Sequence, residues 1–208
     1  MDELSITILK VLRLPILVLQ VTTQNHTLGL DPPNIIRSKD KNALEQNSDG
    51  VSIQVEKLSD RQRQITAQVQ IHQPVQKVWK ILTDYESLVE FIPNLTKSSL
   101  IEHPEGGIRL EQIGSQCLLN FKFCARVVLD LEEIFPKLIK FAMVEGDFKG
   151  FSGFWRLEPY KLETGEGTDL CYTIRVWPKL TMPIGIIENR LANDLRSNLL
   201  AIRQRASW

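Results

Sequence analysis

Apolar and polar residues alternate most cleanly where Ile65, Ala67, Val69 and Ile71 take one phase and Thr66, Gln68, Gln70 and His72 the other. A period of two puts each set on one face of a half-buried strand. Val51, Ile53 and Val55 alternate with Ser52, Gln54 and Glu56 in the same way. The turn-like Leu58-Ser59-Asp60-Arg61 between the two runs predicts an antiparallel hairpin. The period then changes. Pro74 is tolerated in a first helical turn. Val75, Val78, Trp79 and Leu82 then recur at i, i+3, i+4 and i+7, which gives one buried helix stripe. Asp84 is a candidate N-cap for a second short helix, since its carboxylate can accept orphan amides. Tyr85, Leu88, Val89 and Ile92 repeat the helical spacing there, and Pro93-Asn94 ends it.

From about 98 to 177 the pattern predicts strands and turns. Residues 98–103 lead into the turn Pro104-Glu105-Gly106-Gly107, and 108–116 follow. The longest strand is predicted over 121–135, with Phe121, Phe123, Ala125, Val127, Leu129 and Leu131 on one face. Residues 139–145 and 151–160 are the next strands, 161–167 a loop, and Leu170, Tyr172, Ile174 and Val176 mark the last strand. Thr181 and Pro183 open a final helix from 182 to about 205. Its stripe is Ile184, Ile187, Leu191, Leu195, Leu199 and Ile202. At ~1.5 Å per residue this helix exceeds 30 Å, enough to cross a whole sheet. Helices set on one face of an antiparallel sheet make an α+β domain. A curved sheet gripping one long helix leaves room for a cavity between them.

The first fifty residues differ. Residues 4–21 are mostly apolar, but Lys10, Arg13 and Pro15 interrupt them. A spanning helix needs ~20 predominantly apolar residues with few charges. Asp2 and Glu3 replace the basic opening of a secretory signal. An interfacial membrane anchor stays open. The plainer readings are an unstructured leader or sequence upstream of the true start. Residues 22–50 are polar, aperiodic and linker-like. The expected organisation is therefore 1–50, leader and linker and poorly ordered, then 51–208, one folded domain.

Composition narrows the function without selecting it. The chain has 208 residues, with 25 Lys+Arg against 25 Asp+Glu. A net charge of zero argues against a bulk nucleic-acid binder. The three cysteines, an odd number at irregular positions, are no disulfide framework and point to a reducing compartment, hence a cytoplasmic location. His26, His72 and His103 have no metal-ligand spacing, and Cys117, Cys124 and Cys171 form no Cys-x-x-Cys. Spacing alone leaves a Cys-His nucleophile pair open. Buried cysteines and surface histidines are the plainer expectation.

Pro74-Val75-Gln76-Lys77-Val78-Trp79-Lys80-Ile81-Leu82-Thr83-Asp84-Tyr85 resembles the P-x-x-x-V-W-x-x-L-T-D-Y opening of the START-like helix-grip superfamily. Leu88-Val89-Glu90-Phe91-Ile92-Pro93-Asn94-Leu95 is similar to one branch of it, the polyketide cyclase/dehydrase and coenzyme-Q-binding proteins of cyanobacteria and plastids. Gln112-Ile113-Gly114, Val144-Glu145-Gly146-Asp147-Phe148 and Trp177-Pro178-Lys179-Leu180 also resemble that branch. The likeness covers 51 to about 206. It implies a helix-grip fold, a curved antiparallel sheet wrapped around a long C-terminal helix with two short helices after the first strands. It also implies a cavity for lipids, quinones, hormones or polyketides, and some members are enzymes. Fold alone does not choose among these.

Trp79 reads as core before ligand contact. The segment Gly146-Asp147-Phe148-Lys149-Gly150-Phe151-Ser152-Gly153-Phe154-Trp155 lacks the Gly-Lys-Ser/Thr of a phosphate loop. Its glycines mark either a sharp bend in the sheet or a floor where ligand meets backbone. Glu111, Arg126, Asp130, Glu132, Glu133 and Arg175 are strand charges expected mostly in water. Arg126 and Arg175 are the ones to inspect for an inward turn, which would require a partner.

The leading expectation is a non-catalytic module that binds or transports a hydrophobic small molecule: a lipid, a quinone, or a related prenyl or polyketide compound. Its expected lining is Phe123, Val127, Met143, Phe151, Trp155, Tyr172 and Ile174 from the sheet. Ile187, Leu191 and Leu195 come from the helix and Phe91 from the entrance. Tyr172 or an inward Arg126 would orient a head group. No metal is expected, and no cofactor beyond a bound quinone or other lipid. Nucleic acid is not an expected partner, and membrane contact would run through the leader. The alternatives are a cyclase or dehydratase, for which Tyr172 with Arg126 or Glu111 is the nearest acid–base set, and a solid structural or interaction domain.

Overall fold

The structure, a computed structural model, describes residues 45–46, 48–118, 121–163 and 165–208. The apolar leader at 4–21 and most of the linker lie outside the described residues. The strands are β1 (Glu45–Gln46), β2 (Ser52–Lys57), β3 (Arg63–Ile71), β4 (Leu95–Ile101) and β5 (Ile108–Leu118), then β6 (Phe121–Ile134), β7 (Leu138–Gly146), β8 (Gly150–Leu162) and β9 (Gly165–Trp177). Helix α1 spans Val75–Thr83, a 3-10 turn spans Glu86–Glu90, and α2 spans Ile184–Ala206.

All strand pairs are antiparallel, in the order β1-β2-β3-β9-β8-β7-β6-β5-β4. The chain from β4 to β9 is a plain meander. The early hairpin β2–β3 then joins its far end, with Ile65 opposite Ile174 and Val69 opposite Leu170. The period-two residues Ile65, Ala67, Val69 and Ile71 all turn inward and are buried. Helix α2 lies over β3, β2 and β9. Its Ile187, Leu195, Leu199, Ile202 and Ala206 are buried. Two carbonyls ahead of the helix are pinned by Arg61, whose Nη2 donates to Lys179 O at 2.8 Å and Met182 O at 2.7 Å. At the other end Arg205 pairs with Glu90 at 3.1 Å and lies over the Phe91 ring. The helix is thus fixed at both ends and along one side.

Three expectations need correction. The second helix is a five-residue 3-10 turn, and its N-cap is Tyr85, with no side-chain cap bond. Asp84 instead closes α1. Leu88 and Ile92 from this segment face a cavity, not a solid core. Residues 161–167 are no loop: β8 and β9 run on as a hairpin with Leu162 opposite Gly165. Lys161, Glu163 and Glu166 are exposed there, so no apolar alternation marks the strands. The sheet also begins before 51. Glu45–Gln46 pairs with β2, and the Asp49 carboxylate holds Arg196 of α2 at 2.6 Å.

Candidate ligand cavity

Helix α2 does not close over the β4–β8 part of the sheet. A cavity of about 230 Å³ remains between them. The concave face of the sheet supplies Leu110, Val127, Leu129, Leu131 and Ile139; α2 supplies Ile187, Leu191, Leu195 and Ile202; and Leu82, Tyr85, Leu88 and Ile92 close one end. Pro93 and Asn94, both exposed, border the opening. Asn94 has φ 64°, a left-handed conformation that asparagine tolerates better than most residues. Its carbonyl accepts the Ser115 N–H at 2.8 Å, which ties this rim to β5.

Five aromatic rings cross the floor. Phe148 stacks on Phe151 at 5.6 Å, Phe151 meets Phe141 at 5.8 Å, Phe141 meets Tyr172 at 6.2 Å, and Tyr172 stacks on Trp155 at 3.6 Å. Gly153 explains how they fit. A Cβ there would lie 2.1 Å from Thr173 O and 2.5 Å from Phe141 Cζ. This glycine therefore makes room for one of the protein's own rings. Gly146 serves the bend: β6 and β7 slip register between Val128 and Leu129, and a Cβ on Gly146 would lie 2.6 Å from Arg126 O.

Polar groups facing this space are few. Arg190, Asp194 and Asn198 form an i, i+4, i+8 line along α2, and Arg190 Nε lies 3.9 Å from Asp194 Oδ2. Burial, reinforced by the Asp194 charge, pushes the Tyr172 phenol well above the usual tyrosine range. On the far wall, Gln112 Nε2 donates to Ser98 Oγ at 3.1 Å, and Ser98 Oγ donates to Tyr85 O at 2.6 Å. The Tyr85 hydroxyl donates to Glu133 at 2.6 Å. Burial, then that carboxylate, raises its phenol likewise.

Of the residues expected at the site, Val127, Phe151, Trp155, Tyr172, Ile174, Ile187, Leu191 and Leu195 are brought together around the cavity. Met143 packs against the buried core without reaching the space, and Phe91 sits under Arg205. The Phe123 side chain lies outside the described residues. Arg126 turns away, to the outer face. There its Nε bonds Glu111 at 2.6 Å and its Nη1 bonds Glu145 at 2.5 Å, while Lys97 reaches the same Glu111. The proposed set of Tyr172 with Arg126 or Glu111 is therefore split between two faces of the sheet. Arg175 also faces out, donating to Gln64 at 2.7 Å. Trp79 is buried in the core, edge-on to Phe135 at 5.4 Å.

A family model described as polyketide cyclase / dehydrase and lipid transport matches residues 71–200. The chain belongs to this family. Its fold is that of START-like solved structures. A STAR-related lipid transfer protein fragment from Xanthomonas axonopodis superposes with a TM-score of 0.64 at 16% identity, over 80% of this chain and 98% of that one. A START superfamily protein from Mycobacterium smegmatis gives 0.59 at 14% identity, over 69% and 97%. The Zhui aromatase/cyclase from Streptomyces sp. R1128 gives 0.57 at 17% identity, over 70% and 94%. No curated protein matches the chain significantly.

For this member of the polyketide cyclase and lipid transport family, sequence reasoning missed Phe141, Phe148, Tyr85, Leu88 and the line Arg190–Asp194–Asn198. Two signals were available. Phe141 shares the phase of Ile139 on its strand, and the three polar helix residues recur at steps of four beside the apolar stripe. No helix among the described residues is long and apolar enough to cross a membrane.

Proposed function

We propose that the chain binds, and carries, a compact hydrophobic small molecule in this cavity. The observation that supports the reading most is the apolar, aromatic-floored space left between α2 and the β4–β8 strands. Such walls favour a guest by ~25 cal/mol for each Å² of its surface taken from water. The few inward polar groups orient it. At about 230 Å³ the space is smaller than the ~300–1,000 Å³ of sites for drug-sized ligands. The guest is therefore a single ring system or short chain, or a longer molecule with part of its length in the opening between Pro93 and Leu95. The name of the Xanthomonas structure, a STAR-related lipid transfer protein, fits this reading.

Organic extraction of the purified protein followed by mass spectrometry tests it directly. A second test uses the dye N-phenyl-1-naphthylamine and the variant Val127→Trp, which fills the cavity from β6. The wild-type chain should bind the dye with a fluorescence rise, and the variant at least tenfold more weakly. Its Tm should move by no more than about 4 °C, the equivalent of about 1 kcal/mol at this size. Equal binding by both proteins would place the dye elsewhere and count against the cavity.

A second reading, a cyclase or dehydratase, draws on the aromatase/cyclase neighbour and on Tyr172 beside the Arg190–Asp194 pair. Extraction separates the two: a carrier returns its guest unaltered after incubation, and an enzyme returns a product.

A further inference from the structure

One hydroxyl in the cavity has no hydrogen-bond partner among the described residues. On the far wall the Tyr85 O–H donates to Glu133 and the Ser98 O–H to Tyr85 O, both at 2.6 Å. Tyr172 also lines the space, but it makes only ring contacts, with Trp155 at 3.6 Å and Phe141 at 6.2 Å. Among the described residues, the unbonded side-chain polar atoms that are shut off from water are Arg61 Nε, Tyr160 Oη and Asn198 Oδ1. The Tyr172 oxygen is unbonded and is not one of these, so it keeps surface that a guest can touch. Phenylalanine would keep both ring contacts, and a hydroxyl without a partner in apolar surroundings costs stability. Packing therefore does not explain the oxygen.

We infer that the Tyr172 hydroxyl donates a hydrogen bond to the guest, and that the guest is an apolar molecule with a neutral carbonyl oxygen that enters the cavity first. This rests on the cavity-binding reading and names its ligand class. Three features support it. Burial keeps the phenol protonated at neutral pH, so it has a proton to donate. Arg190 and Asp194, the charged residues on the cavity wall, pair with each other, which leaves no free charge there for an ionised head group. The third is depth. Strands β4, β6 and β8 begin, and β5, β7 and β9 end, at the side of the sheet where Pro93 and Asn94 border the opening. Tyr172 stands five residues before the end of β9 at Trp177, about 16 Å in from that side. Phe148 and Phe151 lie nearer the opening, so the aromatic floor leads inward to the hydroxyl.

Two molecules of one shape, 1-phenylbutan-1-one and 2-phenylpent-1-ene, test this. They differ only in C=O against C=CH2, so only the ketone accepts a hydrogen bond. Their affinities for the full chain and for Tyr172→Phe are read by displacement of N-phenyl-1-naphthylamine. The variant should bind the ketone about fivefold more weakly, the worth of one hydrogen bond exchanged with water. Its affinity for the alkene should stay level or rise, and so should its ligand-free Tm. The infrared C=O stretch of the ketone should fall on binding to the wild-type chain, relative to hexane, and stay near the hexane value in Tyr172→Phe. Ionised 4-phenylbutanoate should bind the wild-type chain more weakly than the ketone. A ketone-to-alkene affinity ratio that is unchanged in Tyr172→Phe overturns the inference, as does tighter binding of 4-phenylbutanoate. So does a variant that melts well below wild type or fails to fold, because the hydroxyl then has a structural role. The two readings fail separately. A chain that binds the dye but shows no drop of the C=O stretch, or takes no ketone, loses only this inference. A chain that binds neither the dye nor either test molecule loses the cavity-binding reading itself.

Discussion

On the β2–β3–β9 side of the sheet, Leu199 and Ala206 of α2 join Ile65, Val69 and Leu170 in one cluster, each with at most 2% of its surface exposed, and Leu195 and Ile202 border both this cluster and the cavity. On the β4–β8 side the same helix faces Val127, Leu131 and Phe151 across about 230 Å³, and these residues are only half-buried. One helix therefore has a packed side and an unpacked side. The packed side supplies the dispersion contacts that hold it. Arg61 and Arg205 fix its ends. With position settled there, the other side is free of a packing duty. A family fold can keep its architecture while the residues along the open side change with the ligand.

Paired truncations give the largest expected difference between the two sides. Leu199→Ala removes a side chain with 0% exposure that does not line the cavity, and it should cost about 2–5 kcal/mol in urea unfolding. Leu191→Ala lies one helical face round, half-buried on the cavity wall. Atoms beside an existing space lack contacts on one side, so this change should cost about 1 kcal/mol or less. Equal costs would mean that α2 is sealed on both sides, and the distinction between them would be lost.

Next in size is Gly153→Ala, which probes whether the open side is shaped or merely loose. The added methyl must displace either the Thr173 carbonyl or the Phe141 ring. Overpacking of this kind costs about 1–3 kcal/mol, and the displaced ring would enter the cavity and weaken dye binding. Gly185→Ala is the control. A Cβ there meets nothing within 4 Å, and the residue is helical, so the change should be neutral or stabilise by up to about 1 kcal/mol. If the two alanines behave alike, the aromatic floor is not held by a close approach.

The packed side was far more legible in the sequence than the open one. Ile65 to Ile71, the stripe Val75–Val78–Trp79–Leu82 and the long terminal stripe were all readable, because a solid core demands strict periodicity. The helix-grip order followed from them and from the P-x-x-x-V-W-x-x-L-T-D-Y resemblance. Around the cavity the demand relaxes. Leu88 and Ile92 face space, so their segment needs no complete helix, and the expected one is a 3-10 turn. The direction of Arg126 was not fixed by parity either. The sequence cannot show that Glu111 and Glu145 stand beside it on neighbouring strands, and their carboxylates hold it on the outer face. Asn198 was invisible for a related reason: a polar residue next to an apolar stripe reads as solvated until the wall opposite is known to stand away from it. The glycines of the 146–155 segment suggested both a bend and a floor. The structure assigns the bend to Gly146 and space for the Phe141 ring to Gly153.

The outer face offers the last and smallest contrast. Behind the cavity, where no helix among the described residues supports the strands, ion pairs link β5 and β6: Arg109 holds both Asp130 oxygens, at 2.5 and 2.8 Å, and His103 adds a contact at 3.3 Å. If these pairs stood in for a packed core, removing the charge at Asp130 would rival Leu199→Ala. Exposed and half-exposed ion pairs contribute only about 0–1 kcal/mol after screening. Asp130→Asn, which keeps a hydrogen-bond acceptor for Arg109, should therefore cost about 0.5–1 kcal/mol at neutral pH. The pH dependence identifies the cause. Bonding to Arg109 holds the Asp130 carboxyl below the usual carboxylate range. A depressed folded-state value stabilises the fold above the unfolded-state value of about 3.9. That stability is lost as pH falls through the lower, folded value. Urea unfolding of the two proteins should give a difference at about pH 5 that shrinks below about 4. A difference that persisted at the lowest pH would assign the loss to the amide's fit and not to its charge. A loss of several kcal/mol would mean that the strands behind the cavity depend on their charges as the other half depends on its core.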